Sequence, residues 1–68
     1  MNDPFKILQI ALSKSGVAAS DAIDIALFKD KDKDLWECSI ATEKTKEIEP
    51  GFIRIQVYEG GARVIPML

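Results

Sequence analysis

Apolar residues near the start of the chain recur at helical spacing. Phe5, Leu8 and Leu12 mark the stripe, joined by Ile7, Ile10 and Ala11. Asp3 is placed to accept backbone N–H bonds as an N-cap, and Pro4 falls at the first helical position, where its missing N–H costs nothing. Lys14 complements the dipole of the last turn, and Gly16 supplies a left-handed C-cap. The pattern predicts a helix over Pro4–Ser15.

The second half changes period. Trp36, Cys38 and Ile40 alternate with Glu37, Ser39 and Ala41, and Ile53, Ile55 and Val57 alternate with Arg54, Gln56 and Tyr58. Period-two alternation is the mark of strands with one buried face. Gly60 and Gly61 read as a hairpin turn that accepts positive φ, with a return strand from 62 to about 67. Pro66 places that strand at a sheet edge, because it has no N–H for a ladder. Residues 43–51 are polar, end on Pro50 and Gly51, and read as a loop.

Residues 20–33 fit two templates. As a helix, Ser20 is the N-cap, Asp21 sits in the first turn, and Lys29 and Lys31 fall in the last. As a strand, Ile23, Ile25 and Leu27 alternate with Asp24, Ala26 and Phe28, and the charged run 29–34 turns the chain into the Trp36 strand. A polar turn between apolar segments of matching length favours the hairpin. The expected fold is therefore α+β, an N-terminal helix packed on an antiparallel sheet of about four strands. The alternative has two helices and a three-stranded sheet in a winged-helix-like layout.

In the hairpin reading one sheet face collects Ile23, Ile25, Leu27, Trp36, Cys38, Ile40, Ile53, Ile55 and Val57, and meets the helix. The other face is not fully polar. It holds Ala26, Phe28, Leu35, Ala41, Phe52 and Tyr58 beside Asp24, Glu37, Arg54 and Gln56. A contiguous apolar patch with aromatics is a contact surface rather than ordinary scatter. Phe28, Leu35, Phe52, Arg54 and Tyr58 are its candidate interface residues.

Composition narrows the chemistry. The 68 residues contain no histidine and one cysteine, Cys38. Imidazole-based triads and proton shuttles are thus excluded, and a lone thiolate does not make a cysteine zinc site. A chain of this length reads as a single small domain, residues 1–68, burying only about 60% of its unfolded surface. With no internal disulfide possible, association is the remaining way to strengthen so small a core. Charge is balanced at −2, with −1 in each half, so no basic lobe is available to grip phosphates. The start of the chain lacks a secretory pattern, and no apolar run approaches the ~20 residues of a membrane span. A lone cysteine fits a reducing compartment, so a cytoplasmic location is expected.

Individual motifs add little. Asp30, Asp32 and Asp34 have the spacing that opens an EF-hand loop, but Leu35 and Ala41 stand where that loop needs glycine and glutamate. Residues 5–30 can be laid on a helix-turn-helix, yet the would-be recognition helix opens with Ser20, Asp21 and Asp24, which suit phosphate poorly. Phe52, Arg54, Tyr58 and Arg63 could stack bases on a sheet; Glu49 and Glu59 beside them favour plain sheet packing. Cys38 alternates with buried positions and reads as core.

The sequence thus points to a non-enzymatic protein–protein interaction module, an adaptor, inhibitor or regulator that works as a homodimer and binds another protein. No cofactor, metal, membrane or nucleic-acid partner is expected. The alternative is a small DNA-binding regulator using the helix-turn-helix at about residues 5–30.

Overall fold

The computed structural model describes residues 3–47 and 51–66. Pro4–Ser15 form the helix α1. Asp3 Oδ1 accepts the N–H of Phe5 at 3.0 Å, and Gly16, at φ 75°, ends the helix with its N–H directed to the carbonyls of Leu12 and Ser13. Both caps act as the sequence predicts. The buried stripe is shifted, however: Ile7 and Ala11 are fully buried, whereas Phe5 is 78% exposed. At about 100° per residue Phe5 lies on the far side of the helix from Ile7, so a stripe centred on Ile7 and Ala11 leaves it in solvent.

Four strands follow: β1 (Asp24–Asp30), β2 (Leu35–Ala41), β3 (Ile53–Tyr58) and β4 (Gly61–Ile65). They form one antiparallel meander in the order β1-β2-β3-β4. The α+β reading with one helix on a four-stranded sheet is the observed fold. The two-helix, winged-helix-like alternative is not formed, because only a single 3₁₀ turn, Ala19–Asp21, stands where its second helix would begin. The period-two run from Ile23 gains a full ladder with β2 across the charged turn. A helix there would have left the outer edge of β2 bare. The same turn and strand remove the helix-turn-helix at residues 5–30.

The register corrects two details. Tyr58 pairs with Gly61, so the β3–β4 turn is Glu59 and Gly60 rather than the two glycines. Gly60 alone takes a positive φ, 90°, and Gly61 belongs to the strand beneath the Tyr58 ring, where an added Cβ would lie 3.4 Å from Cε2. The return strand closes at Ile65, just before Pro66 at the sheet edge; Met67 lies outside the described residues.

α1 packs over β3 and β4 and reaches β2. Its Ile7 and Ala11 meet Cys38, Ile40, Ile55 and Val57, and these six residues are the buried core. Burying each large aliphatic side chain is worth about 1.5–3 kcal/mol by area. The shortest molecular extent is 17 Å, which accommodates one helix layer on the sheet and no third layer. A helix about 10 Å across covers roughly two strands spaced 4.8 Å apart. Accordingly the expectation that Ile23 and Ile25 join the buried face fails: they remain 44% and 39% exposed beside the helix.

Residues 42–47, which follow β2, are tied by hydrogen bonds that their polar composition does not announce. Thr45, 6% exposed, heads a 3₁₀ turn, Thr45–Glu47. Its hydroxyl oxygen accepts the Thr42 N–H at 2.8 Å, and Thr42 Oγ1 accepts the Thr45 N–H at 3.2 Å. Thr45 Oγ1 lies 3.1 Å from the carbonyl oxygen of Thr42 and 3.0 Å from that of Gly51, and its hydroxyl donates to this pair of acceptors. One buried side chain therefore ties the end of β2 to the approach to β3. Pro50 of this loop lies outside the described residues.

Candidate functional site

The sheet face away from α1 carries no second layer among the described residues. Its rows follow from the register. Asp30, Leu35, Tyr58 and Gly61 form one row, Phe28, Glu37, Gln56 and Arg63 the next, and Ala26, Ser39, Arg54 and Ile65 the third. Asp24 and Ala41 complete the far end. Alternation along four paired strands places all of these on one surface.

Four of the five sequence-predicted interface residues meet on this surface. Leu35 is directly opposite Tyr58, and Phe28 is the diagonal neighbour of Leu35 across the β1–β2 pair. Phe28 is 62% exposed and Tyr58 39%, so the corner they make with Leu35 is open to solvent. Arg54 lies one row beyond the polar row. Phe52 is separate: it occupies the bend before β3, outside the ladder, and is half-buried.

A hydrogen-bonded chain that the sequence reading did not foresee divides the patch. Glu37 Oε1 accepts from Arg54 Nη2 and from Gln56 Nε2, both at 3.3 Å. Gln56 Oε1 in turn accepts from Arg63 Nε at 3.1 Å. Cross-strand neighbours on β2, β3 and β4 are thus linked in one line. The surface is an aromatic and aliphatic corner beside a band holding two guanidinium groups and one carboxylate. Exposed aromatics with arginine are enriched at protein contacts. Part of the signal for the band was present in the sequence, since Gln56 alternates in step with Tyr58 and Glu37 with Leu35, whereas their alignment with Arg63 is set by the register.

Cys38 is 1% exposed in the core, and burial pushes its thiol pKa up, away from the reactive thiolate. Asp30, the first carboxylate of the acidic turn, is engaged locally: its Oδ1 accepts the Asp32 N–H at 2.9 Å. No cluster of three or more potential metal-ligating side chains occurs among the described residues. An open groove of about 870 Å³ lies between α1 and the β3–β4 turn, with Lys6, Lys14, Ile10 and Ser13 on the helix side.

No helix among the described residues is long and apolar enough to cross a membrane. Comparison of the chain with protein-family models, with curated proteins and with solved structures finds no match.

Proposed function

We propose that this chain is a non-enzymatic protein–protein interaction module, a small adaptor, inhibitor or regulator that acts by binding another macromolecule and works as a homodimer in the cytoplasm. One observation carries the reading: a four-stranded sheet whose second face, uncovered among the described residues, presents Phe28, Leu35 and Tyr58, with Arg54 beyond the polar row. An aromatic corner of this kind loses more by facing water than a polar sheet surface would. The neighbouring Glu37–Arg54 pair, at 3.3 Å and half exposed, remains able to exchange partners at little cost. The buried free thiol of Cys38 is compatible with a reducing compartment.

Native mass spectrometry of the protein, purified gently from its own cells, tests the proposal. The expected result is a stoichiometric protein assembly that Phe28→Asp and Tyr58→Asp each weaken, while circular dichroism stays unchanged. Identical masses and partners in the wild type and both variants would remove the open face from function.

A further inference from the structure

The two edges of the sheet are built differently. β4 is short, carries Arg63, and is stopped by Pro66, which are devices that discourage strand addition. β1 is seven residues long and has apolar side chains exposed on both sides of the sheet: Ile25 on the helix side and Phe28 on the open side, with Ile23 just before the strand. Its charged residues lie toward its ends. Lys29, the cation on this edge, has its ammonium 6.0 Å from the Trp36 ring centroid of its own β2, drawn inward from the edge. Half of the N–H and C=O groups of an edge strand point away from the sheet and seek a partner.

We infer that β1 is the seam of the homodimer, pairing antiparallel with β1 of a second copy to make one continuous eight-stranded sheet. This rests on the dimeric reading above and names its surface. The argument for a second copy is the self-complementarity of the strand. A two-fold axis normal to the sheet keeps side chains on their own faces, so paired residue numbers must have the same parity. Centring the axis on Leu27 sets Asp24 opposite the partner's Asp30 at both ends, which like charges disfavour. Centring it on Ala26 removes that clash. Ile25 then faces the partner's Leu27, Ile23 faces the partner's Lys29, and the two Ala26 residues face each other. Centring on Ile25 also avoids the clash but shortens the ladder within the strand. Centring on Phe28 gives a ladder of equal length within β1, but its continuation sets Asp24 against the partner's Asp32, so the Ala26 register is the one that extends free of opposed carboxylates. It leaves Leu35, Tyr58 and Arg54 of both copies on one broad surface, available to a different protein.

The test combines association with cross-linking of the full chain. Sedimentation of the wild type should give a dimer, and Ile25→Lys should weaken it by about tenfold or more with unchanged circular dichroism. Ala26→Cys should form a disulfide-linked dimer in a glutathione buffer. Val64→Cys, at a more exposed site on β4, should not. Equal cross-linking of the two variants would overturn the seam. So would a dimer that resists Ile25→Lys but dissociates in Tyr58→Asp, and that result would keep the interaction reading while moving the dimer to the open face. A wild type that stays monomeric up to roughly 100 µM would overturn the seam and the dimer together, leaving the open face for a different partner.

Discussion

The two faces of this sheet have nearly the same backbone and opposite fates. On the helix side, Cys38, Ile40, Ile55 and Val57 are fully buried against Ile7 and Ala11. On the other side, residues of the same strands form an open aromatic corner and a polar band. The helix side uses its apolar area to hold the fold. The open side keeps apolar area exposed in a domain too small to spare it, and this contrast is what directs attention to binding. It also separates substitutions that should damage the fold from those that should damage only its contacts.

The sharpest way to break the contrast is at the centre of the buried side. Ile7→Ala should cost about 2–5 kcal/mol, since it removes a fully buried side chain of α1 from the core. Chemical denaturation would show whether the domain survives at all. Thr45→Val should follow, at about 1–3 kcal/mol, because it keeps the shape but leaves the Thr42 amide and the Gly51 carbonyl without their buried partner. Its midpoint should fall while the helix signal remains. Arg54→Ala on the open face should change stability least, by less than about 1 kcal/mol, because its pair with Glu37 is solvent-screened. A loss as large as that of Ile7→Ala would mean that the polar band supports the fold.

Much of this architecture was legible from spacing. The caps of α1 were readable because Asp3, Pro4 and Gly16 each suit one backbone position. The hairpin of β1 and β2 was readable because a charged turn separates two alternating runs. Other features depend on tertiary geometry. The burial of Ile7 in place of Phe5 is set by where the helix axis settles on the sheet. The exposure of Ile25 reflects the width of one helix against four strands. Thr45 looked like part of a polar loop, although its spacing from Thr42 is that of reciprocal capping. Four of the five candidate interface residues shared a face because alternation is a local property. Phe52 did not join the ladder because the strand begins one residue later.

The comparison can be tested on two consecutive residues, Val57 and Tyr58, whose side chains point to opposite faces of β3. Thermal melts and native mass spectra would be recorded for Val57→Asp and Tyr58→Asp. We predict that Val57→Asp abolishes the cooperative melt by burying an unpaired charge. We predict that Tyr58→Asp melts close to the wild type and loses its protein partner. If Tyr58→Asp also fails to fold, or if it folds and keeps every partner of the wild type, the division of this sheet into a structural face and a binding face is contradicted.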